Sequence, residues 1–300
     1  MKRLLSIYIF VLFFIGTLSF PAFASADTLV TTVSILPLKY FVDKIGGKRV
    51  FVNVMVPKGN DPHNYEPKPR QIRQLADSKL YFSLGIEFER IWLDKFQHVN
   101  PKMVIVAVDH GINKHLMNET RSKEEDHSTV HDQHEHHGHD PHIWLSPILA
   151  KHMAQNIYQS LLKVDPAGKD VYQSNHRLLL AELDSLLNEI NHVFAGQRKG
   201  AGFLVFHPSW GYFAQAFGLK QIAVEVEGKS ITPVKLHRVI QIAKAEGIKV
   251  VFIQPGQSSK VANMITKEIG GRTALIDPLA YDWDVNLRKT ANHFKNAMQP

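Results

Sequence analysis

Residues 166–195, PAGKDVYQSNHRLLLAELDSLLNEINHVFA, decide how the chain is organised. After Gly168 the stretch holds neither Gly nor Pro, and Leu178, Leu179, Leu183, Leu186, Leu187 and Ile190 recur at helical spacing. That spacing gathers apolar side chains on one face of an α-helix. Periodicity alone also fits a helix packed inside one lobe. Its place in the chain favours a connector, because strand-bearing sequence lies on both sides of it.

In the first half, β-rich runs fall at residues 29–35, 50–56, 80–84 and 103–108. In the second they fall at 203–206, 221–226, 250–253 and 273–276. Amphipathic stretches alternate with them, as in parallel sheets covered by helices. A helix over 37–45 opens on Pro37 and closes on Gly46-Gly47. Thr232-Pro233 opens another, which Gly247 ends. The expected fold is α/β, two Rossmann-like lobes with parallel sheets joined by one long helix. The N-terminal lobe covers 27–165, the connector 166–195 and the C-terminal lobe 196–300.

The ends and the composition narrow the function class. Residues 1–26 read as a secretory signal, with Lys2 and Arg3 leading an apolar run that ends at Ala22-Phe23-Ala24. Its removal lowers the formal charge from +7 to +5, and the basic residues are scattered, so nucleic acid is not an expected partner. There is no cysteine, hence neither a disulfide framework nor a thiol for a lipid anchor. A monomer free in the periplasm, not anchored to the membrane, is the expectation.

Residues 119–140 break the α/β rhythm. His127, His131, His134, His136, His137 and His139 crowd there among acidic residues, with too little apolar surface to fold alone. A mobile His-rich loop is expected.

Four candidate ligands stand where chemistry belongs in such a fold, beyond the carboxyl ends of strands or where a helix begins. His63 follows the second strand candidate, His207 directly follows 203–206, and Asp277 directly follows 273–276. His142 lies at the end of the polar loop, in a tripeptide, Asp140-Pro141-His142, that repeats Asp61-Pro62-His63. Imidazole nitrogen suits zinc, and three histidines with one carboxylate complete a four-ligand shell. Such a shell leaves no position for activated water, which favours transport over catalysis.

Three segments carry a resemblance. They are Gly59 through Pro67 (GNDPHNYEP), Asp140 through Pro147 (DPHIWLSP) and Phe206 through Phe213 (FHPSWGYF). They resemble the ligand segments of the solute-binding proteins of zinc and manganese ABC importers. Glu227-Gly228-Lys229-Ser230, with Pro233 beyond, and Ile276-Asp277-Pro278-Leu279 are similar to later segments of that family. The likeness runs in order along the whole chain after the signal. It implies two lobes with a metal ion between them, His63, His142 and His207 as ligands, and Asp277 as the acidic ligand, with water as the alternative. It also implies delivery to an inner-membrane ABC permease. Histidine at 207, where manganese members look to carry glutamate, points to Zn2+ as cargo, with Mn2+ or iron as runner-up. The His-rich loop resembles one found in many zinc members, and implies a secondary metal site.

Two further classes remain as rivals. A periplasmic zinc buffer or chaperone has the same sequence features. A zinc hydrolase is opposed by the residues: in His137-Gly138-His139-Asp140-Pro141-His142 the aspartate is one position from its place in HxHxDH, and no His-Glu-x-x-His helix occurs. The chain therefore reads as a binding protein and not an enzyme.

Overall fold

A computed structural model describes residues 28–116, 138–225, 231–257 and 260–298. Its eight strands form two four-stranded parallel sheets. The first contains β1 (Leu29–Val33), β2 (Val50–Val54), β3 (Leu80–Ser83) and β4 (Val104–Ala107), in the order β2-β1-β3-β4. The second contains β5 (Gly202–Val205), β6 (Lys220–Ala223), β7 (Val250–Ile253) and β8 (Arg272–Leu275), in the order β6-β5-β7-β8. The same spatial order thus occurs twice. Most of the strands are one or two residues shorter than the apolar runs, because ladder pairing stops before the residues that turn toward the loops.

Helix ends follow local chemistry. In α1 (Leu36–Gly46) Pro37 occupies the first turn, and Gly47 at φ 55° donates its N–H to Asp43 O. Ser146 caps α4 (Pro147–Val164), its hydroxyl accepting from Leu149 N. Thr232 does the same for α7 (Pro233–Ala245). The long helix α5 spans Lys169–Val193, preceded by a 3-10 turn over Pro166–Gly168. Its buried stripe is Tyr172, His176, Leu179, Leu183, Leu186 and Ile190, whereas Leu178 turns outward and is 59% exposed. Both lie within one turn of the pattern, and the helix's neighbours decide which face is covered. At 25 residues α5 is about 37 Å long.

More than this helix joins the two sheets. One apolar core runs from β1 and β3 through α4 and α5, past α9 (Trp283–Ala297), to the face of the second sheet that presents Phe203, Val205 and Phe252. The alternate residues Leu204, Val251 and Ile253 point the other way, into a smaller cluster under α7 and α8 (Lys260–Ile269). The Trp283 ring packs on Phe41 of α1 at 4.9 Å, and Tyr281 Oη donates to Asp43 at 2.8 Å. The start of the C-terminal helix therefore reaches back to α1 of the first half, which the linear pattern did not reveal. Among the described residues no helix is long and apolar enough to cross a membrane.

The signal segment 1–26 lies outside the described residues. So do Glu227-Gly228-Lys229-Ser230, most of the 119–140 segment, and His127, His131, His134, His136 and His137 within it. His139 is described: it is exposed, and pairs with Leu116 in an isolated antiparallel bridge.

Candidate metal centre

Each of the three histidines is held through its ring, and the backbone around each is fixed as well. Asp61 Oδ1 accepts from the N–H of His63 at 3.0 Å, the turn that an aspartate makes with the residue two positions on. Asp140 Oδ1 makes the same turn with His142 N at 2.9 Å. His207 comes directly off the second sheet instead. Val205 pairs with Ala223 across β5 and β6, and two steps further along that register Glu225 N donates to Phe206 O at 2.9 Å. This continuation of the ladder brings Glu225 beside His207.

The ring contacts share one chemistry. His63 Nδ1 meets Glu87 Oε2 at 2.8 Å, His142 Nδ1 meets Asp140 Oδ1 at 2.7 Å, and His207 Nδ1 meets Glu225 Oε1 at 2.6 Å. An ionised carboxylate only accepts, so each Nδ1 carries a proton, and in the neutral ring this tautomer leaves the lone pair on Nε2. Histidines that bind metals are oriented in this way, and the carboxylate also raises the ring's basicity as a ligand. Glu87, Asp140 and Glu225 are the site residues that sequence reasoning missed as such. Asp140 and Glu225 were within its reach, one inside the repeated tripeptide and the other opposite His207 in a parallel register. For Glu87 the sequence offered no signal, since its partner lies in another loop.

The rings themselves come together. His207 lies 5.4 Å from His63 and 5.3 Å from His142, centre to centre. A tetrahedral zinc ion sits about 2.0–2.1 Å from each nitrogen, so two imidazoles that share it have centres roughly 5 Å apart. Among the described residues no group of three or more His, Cys, Asp or Glu side chains stands as placed to hold a metal ion. The cluster is an open one, with His142 and His207 buried and the His63 side chain 34% exposed. Burial lowers the His142 pKa, and the neighbouring His207 and His63 add to this against the opposing pull of Asp140. A ring held neutral is the form that coordinates metal.

Asp277 stands apart from these contacts. It is half-buried beyond β8, and its Oδ1 accepts from Leu279 N at 2.9 Å in a third Asp-Pro turn. The segment is nevertheless tied to that of His142: Trp144 Nε1 donates to Pro278 O at 2.8 Å, and Trp283 Nε1 to Trp144 O at 2.7 Å.

The carboxylate that holds His63, on Glu87, rests on a well-anchored helix start. Glu87 opens α3 (Glu87–Val99), and two residues on, buried Glu89 accepts from the N–H groups of Leu84, Gly85 and Ile86 and from the Ser34 hydroxyl. Burial pushes Glu89 up to about 7, against the lowering pull of those donors.

Comparison with known proteins places this geometry in context. The family described as "Zinc-uptake complex component A periplasmic" matches residues 31–297. The high-affinity zinc uptake system protein ZnuA of Bacillus subtilis is 29% identical over 258 residues, 85% of this chain and 80% of that protein. A crystal structure of ZnuA superposes with a TM-score of 0.82 at 38% identity, over 91% of this chain and all of the other. A 138–173 deletion mutant of ZnuA with zinc bound superposes with a TM-score of 0.81 at 39% identity and the same coverage.

Proposed function

Because the chain belongs to the ZnuA family of periplasmic zinc-uptake components, we propose that it captures Zn2+ outside the cytoplasm and hands it to an ABC permease of the inner membrane. In this reading residues 1–26 direct export and are removed, and the protein acts as a free monomer. His63, His142 and His207 bind the ion through Nε2. Asp277 supplies the fourth ligand through Oδ2, the oxygen its backbone turn leaves over.

The observation that carries the reading is the threefold repetition of one device, an imidazole whose Nδ1 is held by a carboxylate, at three rings gathered from distant parts of the chain. A lone surface histidine has no need of such a partner. The three carboxylates also make the mouth of the site attractive to a divalent cation. Nitrogen donors select zinc over harder ions, which prefer more oxygen. With four protein ligands the ion has no open position for activated water, so binding and release are the chemistry, not hydrolysis.

The test is a competition titration on the full chain stripped of metal. Zinc is expected to bind tightly and manganese weakly. The reverse order would overturn the cargo. Asp277→Asn, assayed in the same way, is expected to weaken zinc; wild-type affinity there would assign the fourth position to water.

A further inference from the structure

The pairing of Leu116 with His139 places His115 directly opposite Asp140. Opposed residues in an antiparallel ladder alternate between pairs that exchange both backbone hydrogen bonds and pairs that exchange none, and this pair is of the first kind. Only one is direct here, Asp140 N to His115 O at 2.8 Å. In the other, a hydroxyl intervenes: Tyr212 Oη accepts from His115 N at 3.0 Å and donates to Asp140 O at 3.0 Å.

That hydroxyl comes from the other half of the molecule. Tyr212 lies on α6 (Gly211–Ala216), the helix between β5 and β6 that begins four residues after His207. The side chain is 2% exposed, its ring is stacked on that of His115 at 5.2 Å, and Gln215 of the same helix meets His115 Nε2 at 2.8 Å. Burial and the charge of Asp140 raise the phenol's pKa, so it remains a donor. A buried side chain that replaces a rung of a backbone ladder fixes a separation that neither half sets alone. On one side of this rung is the residue that orients His142, and on the other the segment that carries His207.

We propose that Tyr212 is a positioning residue for zinc capture, its hydroxyl holding Asp140-His142 at a set distance from His207 across the junction of the two halves. The proposal rests on the reading of His142 and His207 as ligands.

Tyr212→Phe removes the hydroxyl and keeps the ring. Tyr172→Phe is the control: it also removes a buried phenol's hydrogen bond, to Asp165 at 2.5 Å at the foot of α5, away from the histidines. Both variants, as full chains stripped of metal, are titrated with Zn2+ against a competing chelator, and with Co2+ to record its visible absorption. Tyr212→Phe is expected to bind zinc about 10-fold more weakly, the lower end of what outer partners of a metal site contribute, and to shift the Co2+ bands. Tyr172→Phe is expected to change neither, although both lower the melting temperature. Wild-type affinity and spectrum in Tyr212→Phe, or equal losses in the two variants, would overturn the role. His142→Ala separates the two ideas. Undiminished affinity there defeats the ligand assignment itself, whereas loss there with none in Tyr212→Phe defeats only the positioning role.

Discussion

Asp61-Pro62-His63 and Asp140-Pro141-His142 are the same three residues, and both fold into the same turn, with aspartate Oδ1 accepting from the histidine N–H. Beyond that they diverge. At 140–142 the aspartate that makes the turn also holds the imidazole, and Asp140 and His142 are both buried. At 61–63 the ring turns away to Glu87 on α3, and both partners are substantially exposed, His63 by 34% and Glu87 by 47%. Local sequence sets the turn, while the surrounding fold chooses the ring's partner and its dielectric environment.

The contrast predicts unequal ligands. Removal of His142 leaves a buried, partly dry site with a donor missing, whereas water can take the place of the exposed ring. His142→Ala is expected to lower zinc affinity on the order of 10³-fold, and His63→Ala by roughly 10- to 100-fold; both exceed or match the range known for outer partners. Chelator competition measures the two values, and equal losses would break the comparison.

The outer carboxylates should follow the same order with smaller effects. Asp140→Asn is expected near the top of the 10–100-fold range, and Glu87→Gln near its foot, because solvent screens the exposed pair. Isothermal titration at two salt concentrations sharpens the test. The Glu87 variant should differ less from wild type at high salt, and the Asp140 variant should not.

A pH dependence follows from the helix that carries Glu87. Glu89, with a folded pKa near 7 against 4.5 for the free side chain, binds its proton more tightly in the native state. Its contribution to stability is full below about pH 4.5 and is lost as pH rises toward 7. Glu89→Gln has no such loss, so across that window it should gain on the wild type in thermal melts of metal-free protein. A constant difference would place the ionised form at home in the fold.

The smallest effect belongs to the shared turn. Asp61→Ala removes two exposed hydrogen bonds, from His63 N and from Asn64 Nδ2, and should cost about 0.5–1.5 kcal/mol in chemical denaturation. Asp140→Ala should cost more, since the same oxygen also serves a buried ring.

Much of this was legible in the linear chain. Alternating runs announced two parallel sheets, and glycine- and proline-marked ends located α1 and α7, because strand and helix periodicities and caps are local properties. His63, His207 and Asp277 were singled out by following strand ends, and His142 by the place where a helix begins and by a tripeptide it shares with the His63 segment. Glu87 stayed hidden because its partner lies 24 residues away in a different loop. Tyr212 read as part of an aromatic motif, and nothing in its neighbours disclosed that its hydroxyl completes a ladder rung 72 residues upstream.

By itself, then, the sequence determined the strands and helices, their order, the Asp-Pro turns and the candidate donor atoms, since these depend on neighbours within a few positions. Tertiary structure alone decided that rings at 63, 142 and 207 stand about 5 Å apart in two of their three pairings, which of them is buried, and which carboxylate holds each. Those outcomes depend on packing between distant segments, where a side chain's partner is set by the shape of the whole core.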